Sequence, residues 1–286
     1  MWIVFALGAA FFAGLTSILA KVGIAHAPSH LATALRTIVV LACAWGMVFV
    51  VGSQAGLGAI GPRAWLFLGL SGLATGGSWL CFFRALQLGE AGTVAAVDKS
   101  SIVLTVLFAI VFLGETDHLL TRLAGMVLIV AGTWFMVERS AWSGVARGGS
   151  WLPWAFGSAG FAALTAILGK VGITEVESSL GTAIRTVVVL VMAWVVVFIT
   201  GEQRVLRAIP RRDLAFIAAS GVATGASWLC YWRAMQEGPA SLVAPIDRLS
   251  ILVTVGFAAV VLGERLPRRA ASGLALIVAG TLGMLI

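Results

Sequence analysis

Asp98 and Asp247 are carboxylates lodged in otherwise apolar stretches, and each is followed at once by a cation, Lys99 or Arg248. Ser101 and Thr105 follow Asp98 at i+3 and i+7, and Ser250 and Thr254 follow Asp247 in the same way. On a helix each set forms one polar stripe. Further cations stand nearby: Lys21, Arg36 and Arg84 in the first half of the chain, Lys170, Arg185 and Arg233 in the second. An ionised side chain in an apolar medium is costly unless it is paired or borders water. The chemistry these residue types suit is reversible ion pairing, in which cations hold a carboxylate by charge-assisted hydrogen bonds. Two readings compete. In one, each carboxylate and its cations form a gate. In the other, each half has one structural salt bridge and cations that reach for the interface.

Hydroxyls and aromatics extend the polar face. Ser71, Thr75 and Ser78 share a helical stripe with Trp79 alongside, and Ser220, Thr224, Ser227 and Trp228 repeat it. Thr33, Arg36 and Thr37 share another, repeated by Thr182, Arg185 and Thr186. Such stripes look inward, either lining a cavity or bonding helices together. Trp79 and Trp228 suit the wall of a solute site or plain core. Gly72 and Gly76, with Gly221 and Gly225, have the GxxxG spacing of close helix packing.

These residues must be positioned by something used twice. Lys21–Trp45 reads KVGIAHAPSHLATALRTIVVLACAW, and Lys170–Trp194 reads KVGITEVESSLGTAIRTVVVLVMAW. GLATGGSWLCFFRALQ from Gly72 returns as GVATGASWLCYWRAMQ from Gly221. Asp98 maps to Asp247 and Glu115 to Glu264, each 149 residues on. A repeat at fixed offset is one structural unit used twice.

The unit is apolar. Of 286 residues, 60% are hydrophobic and 11% charged, and mean hydropathy is +1.04, more than one soluble core can hide. By spanning length the helices fall at roughly 2–21, 31–51, 64–85, 93–113, 119–137, 151–170, 180–200, 213–235, 242–262 and 269–286. Unbroken runs such as VLTVLFAIVFL exclude the alternating strands of a barrel. The expected fold is all-α and integral to a membrane, with ten transmembrane helices as two inverted five-helix repeats. Residues 1–137 form the first repeat, the Gly/Ser-rich 138–150 a linker, and 151–286 the second. Five is odd, so the second copy enters from the opposite side. The first five helices bring Lys21, Arg36, Arg84, Asp98 and Lys99 to one face, and inversion brings Lys170, Arg185, Arg233, Asp247 and Arg248 to the other. Two ionic clusters are expected, one toward each side. The fifth and tenth helices, with Gly125, Gly132, Gly273 and Gly280, read as scaffold or dimer helices.

Loop charge sets an expected orientation. Arg63 and Arg122 follow the second and fourth helices, whereas the equivalent second-half loops carry Arg204, Arg207, Arg211, Arg212, Arg265, Arg268 and Arg269. The positive-inside rule then places the 201–212 loop in the cytoplasm and both termini outside. The first helix follows Met1 without a basic leader and reads as a retained span.

The net charge of +7 gathers at helix ends and offers no face for nucleic acid. Cys43, Cys81 and Cys230 lie in apolar helices and read as packing residues, neither disulfides nor metal ligands. No phosphate-binding loop, HExxH or serine elbow is present, so no ATP-driven pump, cofactor, metal or enzyme activity is expected.

Ser78–Ala85, Asp98–Ser101 and Leu113–Glu115, with their copies Ser227–Ala234, Asp247–Ser250 and Leu262–Glu264, make the chain resemble the EamA-like branch of the drug/metabolite transporter superfamily. The resemblance covers nearly the whole chain. It implies alternating access, a central cavity walled by the first, third and fourth helices of each half, and export of a small metabolite or drug. It also implies cytoplasmic termini, against the loop charges. The second half has Ala244-Pro245 before its aspartate, as this branch does, while the first has Ala95-Ala96. Thr16 and Thr165 stand where small multidrug relatives carry a glutamate. The candidate cavity and gate residues are Lys21, Arg36, Trp79, Arg84, Asp98, Ser101, Lys170, Arg185, Trp228, Arg233, Asp247 and Ser250. The expected partners are a small-molecule solute and the lipid bilayer, with the protein a monomer or homodimer in a bacterial inner membrane. A membrane scaffold that moves no solute is the alternative. Excess cations lean the solute toward an anion or zwitterion.

Overall fold

The computed structural model describes residues 1–23, 27–88, 94, 97–98, 101–136, 151–261 and 268–285. Every regular element among them is helical. The first half has α1 (Trp2–Gly23), α2 (Ser29–Val51), α3 (Pro62–Leu88), α4 (Ser101–Leu113) and α5 (Leu119–Met136). The second has α6 (Leu152–Gly172), α7 (Ser178–Thr200), α8 (Arg211–Glu237), α9 (Ala240–Asp247), α10 (Ser250–Val261) and α11 (Arg268–Gly283). Seven helical segments are long and apolar enough to cross a membrane, and α4, α5 and α11 add shorter apolar helices. The exterior is correspondingly greasy: Val4, Phe11, Phe49, Val50, Val111, Phe112, Phe198 and Ile199 are all exposed. A soluble monomer rarely shows such a continuous apolar surface.

The span expected at 242–262 is broken. Helix α9 ends at Asp247 and α10 begins at Ser250. Pro245 inside α9 has no amide to donate, and the chain passes the break on three-residue turns, Arg248 N to Pro245 O (3.0 Å) and Leu249 N to Ile246 O (2.9 Å). The fourth expected span is described at Val94, Val97 and Asp98 and then as α4. The linker, Lys99 and Glu264 lie outside the described residues.

Both α2 and α7 stop at a glycine that takes the left-handed conformation, Gly52 (φ 77°) and Gly201 (φ 73°). Each glycine amide bonds back to the last turn, and a short 3₁₀ segment follows, Ser53–Ala59 or Glu202–Ala208. The starts differ. Glu177 caps α7 by accepting from Ser179 N (2.9 Å) and Leu180 N (3.1 Å). The first copy has Pro28 there, and the Leu31 amide goes instead to Glu202, in the other half (3.0 Å).

The halves pack through reciprocal contacts. Thr16 and Thr224 meet at 3.3 Å, as do their copies Thr165 and Thr75. Ser227 donates to Ala9 O (2.9 Å) and Ser78 to Ser158 O (3.1 Å), again copies of one contact. Along α1 the contacts advance while along α8 they retreat, from Trp2 with Gly238 to Gly23 with Ile217, so the two run antiparallel. Helix α2 is likewise antiparallel to its own copy α7, with His30 and Leu31 near Glu202 and Gly56 near Leu180, and α5 to α11, with Gly125 on Gly280 and Gly132 on Gly273.

Small residues make these approaches possible. An added Cβ on Gly72 would meet Val188 Cβ at 2.7 Å and the Arg185 carbonyl at 3.0 Å, and on Gly221 would meet Val39 Cβ at 2.6 Å and the Arg36 carbonyl at 3.0 Å. The GxxxG spacings are thus closely packed seams. All three cysteines are free, and each sits on a glycine: Cys43 on Gly225, Cys81 on Gly157, Cys230 on Gly8.

Two outcomes are expected. Gly221→Ala should lower thermal stability in detergent by about 1–3 kcal/mol, because backbone as well as a side chain blocks the methyl. Gly46→Ala, with open space around it, should leave stability unchanged or raise it. An equal loss in both would show that helical propensity, not the seam, governs. The second concerns Glu177, outside the spans. Burial pushes its carboxyl up, but bonds from the Ser179 and Leu180 amides and the Ser178 and Ser53 hydroxyls outweigh this and hold it below the ordinary 4.5. Its stabilisation is complete above pH 4.5 and is lost as pH falls through the lowered native value. Glu177→Gln should cost about 1 kcal/mol near neutrality, and melting curves against pH should show the gap from the native chain closing only in acid.

Candidate functional site

Arg185 is the largest side chain in the fully buried interior. It sits on α7, and its guanidinium crosses to α3, where Nε donates to Ser71 Oγ (3.3 Å) and Nη2 to Thr75 Oγ1 (3.0 Å). From α8, Trp228 and Trp232 place their rings 5.4 Å and 4.2 Å from Cζ. A cation over indole faces is attracted by the ring quadrupole, more strongly when water is excluded. Gly169 on α6 makes room for Trp232, since a Cβ there would run into the indole. The hydroxyl stripe of α3 and the tryptophan of α8 therefore meet on one cation, and the partners are neutral. The i, i+4 pair Trp228 and Trp232 carried the signal for the second ring.

A second polar region forms at the break between α9 and α10. A cavity of about 290 Å³ is lined by Asp247, Arg248, Ser250 and Thr254, by Ser17 and Thr133 opposite, and by isoleucines including Ile102 and Ile277. The stripe read from the sequence thus faces one space. Arg248 Nη2 donates to Ser101 Oγ (3.0 Å), which joins the fourth span of one half to the ninth of the other. Tyr231 lies within electrostatic reach of Asp247, Arg248 and Arg185.

Asp98 is half-buried and accepts from Ser158 Oγ of α6 at 2.6 Å. The copy of Ser158 is Ala9, which has no hydroxyl to offer Asp247. The two aspartates are therefore held differently.

At the bundle end that carries Trp2, charges complete helix termini. Lys170 Nζ donates to Met235 O (2.6 Å) and to Gly238 O, the C-terminal carbonyls of α8. Glu115, just past α4, accepts from Ala240 N (2.8 Å), Ser241 N (2.9 Å) and Ser241 Oγ (2.5 Å), the first turn of α9. A cation at a C-terminus and a carboxylate at an N-terminus both match the helix dipole. Glu115 attracts Lys170 directly as well. Arg122, read as a loop cation, is instead buried, donating to Glu115 O (2.7 Å) with its guanidinium 3.9 Å from the carboxylate. Arg233 pairs with Glu237 (2.6 Å) and lies 3.9 Å from Glu177. Lys170, Arg185 and Arg233 are thus spread over three settings, where one cluster around Asp247 was expected.

Among the other candidates, Trp79 packs into an apolar cluster with Leu31, Leu35 and Val197. Arg84 is exposed at the end of α3, and Arg36 is partly buried on α2. The side chain of Lys21 lies outside the described residues. Glu115, Ser158 and Trp232 join the site without having been named as candidates; Glu115 was signalled by its copy at Glu264 and Trp232 by its i, i+4 spacing from Trp228.

The sequence model of the EamA-like transporter family matches residues 1–138 and 149–286. An uncharacterized transporter in the cobO 3'region of Sinorhizobium sp is 47% identical over 133 residues, which are 46% of this chain and 94% of that relative. The relative is therefore about as long as one copy. A protein of known crystal structure shares the fold with a TM-score of 0.76 at 19% identity, over 100% of this chain and 98% of its own.

Glu115→Gln leaves a single acceptor oxygen for two amides and a hydroxyl and removes the attraction on Lys170. It should cost about 1.5–3 kcal/mol of stability, and hydrogen exchange should quicken at the amides of Ala240 and Ser241 before the rest of the bundle. Unchanged exchange there would show that Glu115 does not hold the start of α9.

Proposed function

The chain belongs to the EamA-like transporter family, within the drug/metabolite transporter superfamily, and on that premise we propose that it is a secondary carrier exporting a small organic solute by alternating access. It is an integral membrane protein. In this reading 1–137 and 151–286 are inverted five-helix repeats joined by 138–150, giving ten transmembrane helices in a bacterial inner membrane. The relative of one copy's length supports it: such a chain matches the half-bundle that here meets its own copy.

The observation that carries the reading is reciprocal packing with unequal ends. Copies of the same residues make the same contacts across α1–α8 and α3–α6, yet Asp98 accepts from Ser158, whose copy Ala9 has no hydroxyl, and Asp247 lines the cavity at the break between α9 and α10. Two related ends with the same bonding repertoire can exchange states, which is what alternating access requires. The Lys170–Glu115 corner closes the end near Trp2 in this state. The copies of its charges, Lys21 and Glu264, would close the opposite end in the other state. Asp247, Ser250, Arg185 and Trp228 then line the path from one side, and Asp98, Ser101, Arg36 and Trp79 from the other. Without a phosphate-binding loop, movement draws on the gradient of the solute or of a coupled ion.

The test is solute flux in proteoliposomes with Asp98→Asn and Asp247→Asn. Each variant should stay folded, lose about tenfold or more of the flux, and differ from the other in which side an impermeant thiol reagent reaches. Full flux in both would remove the aspartates from the mechanism. A loss of fold in both without prior loss of flux would favour structural ion pairs in a scaffold.

A further inference from the structure

The two copies of the buried arginine are not in the same state. Arg185 is stowed between hydroxyls and indoles. Arg36, its copy, is partly buried, and among the described residues no hydrogen-bond acceptor, carboxylate or aromatic face lies against it. The difference is written in the sequence. Where the second copy has Trp232 and Gly169, the first has Phe83 and Ala20, so it lacks both the second indole and the glycine that admits it. Ser71 and Thr75 donate to backbone carbonyls and also accept from Arg185, whereas their copies donate, Ser220 to Ile217 O (2.7 Å) and Thr224 to Ser220 O (2.7 Å), without accepting from Arg36.

Arg36 does not point at lipid. Over the turns next to Arg36, α2 exposes Ile38 and Ala42, about 200° and 240° around the helix from it, while Ala32 and Val40 beside it are buried. Its own backbone carbonyl packs on the Gly221 seam of α8. The guanidinium therefore lies on the packed side of α2, which in the carrier reading faces the solute path. A guanidinium so placed, with no described residue to neutralise it, needs an anion. Its planar fork of donors fits a carboxylate. In the sequence each copy sets four cations against one aspartate in its expected spans, Lys21, Arg36, Arg84 and Lys99 against Asp98 in the first.

We infer that the solute is an organic anion whose carboxylate is bound by Arg36. The inference rests on the carrier reading above and names its substrate class.

The experiment uses the full chain in phosphatidylcholine liposomes loaded with two matched sets: succinate, succinamide and putrescine, and isophthalate, isophthalamide and 1,3-xylylenediammonium. Efflux above protein-free liposomes is read by mass spectrometry. The anion of at least one set should leave, and its amide and ammonium partners should not. Arg36→Gln should cut that efflux by about ten- to a hundredfold, the size of one charge-assisted hydrogen bond, while Arg36→Lys keeps part of it. Thermal melts of both variants establish that they are folded; if Arg36→Gln does not fold, the difference between native and Arg36→Lys efflux decides. Efflux of an amide or ammonium member in place of the anion overturns the inference and leaves the carrier. So does wild-type anion efflux from Arg36→Gln, or a loss in that variant seen only when phosphatidylglycerol is added, which would make the anion a lipid headgroup. No efflux of any of the six counts against the carrier reading itself.

Discussion

A charge at membrane depth must be satisfied by something that is not water, and the interior of this protein is arranged around that requirement. Arg185 meets it with two hydroxyls and two indoles. Lys170 meets it with the last carbonyls of α8, and Glu115 with the first amides of α9. In each case the partner is a dipole or a ring face more than an opposite charge. Such partners are rotatable or local, and they hold an ion without the large desolvation cost of a buried pair that must form in one geometry. They are also easier to exchange than a tight salt bridge.

The same groups fix the helices against each other. Hydroxyls of α3 and α8 reach the backbone of α6 and α1, and glycines let α7 approach α3 and α2 approach α8, in the first case close enough for Arg185 to cross. Lipid supplies no hydrophobic drive between helices, so close packing and hydrogen bonds must serve. The stripes of α3 and α8 therefore act as glue, while Ser250 and Thr254 line the cavity at the break between α9 and α10.

Duplication gives this interior its logic. Several contacts across the seam have counterparts, Thr16 with Thr224 and Thr165 with Thr75 among them, but substitutions between the copies have made others unequal. Ser158 faces Asp98 where Ala9 is its copy, Trp232 covers Arg185 where Phe83 is its copy, and Pro245 breaks the ninth span where Ala96 stands in the fourth. These differences set apart the two arginines that the repeat makes alike.

Hydropathy and the 149-residue offset were enough to read the helical class, the doubled unit and the membrane setting, because spanning length and repetition are properties of the chain itself. The Asp247–Ser250–Thr254 stripe was legible for the same reason: helical period alone puts these residues on one face, and they line one cavity. What the sequence left open was which charge meets which. It suggested cations gathered on Asp247, but Lys170 goes to carbonyls, Arg233 to Glu237 and Glu177, and Arg185 to α3 and α8. Nor did it show that Glu115 would cap a helix of the other half, or that Glu202 would replace the cap Pro28 cannot supply. Pairing depends on the angle and register of helices far apart in the chain, and a long side chain reaches several neighbours from one position. Only the packed bundle chooses among them.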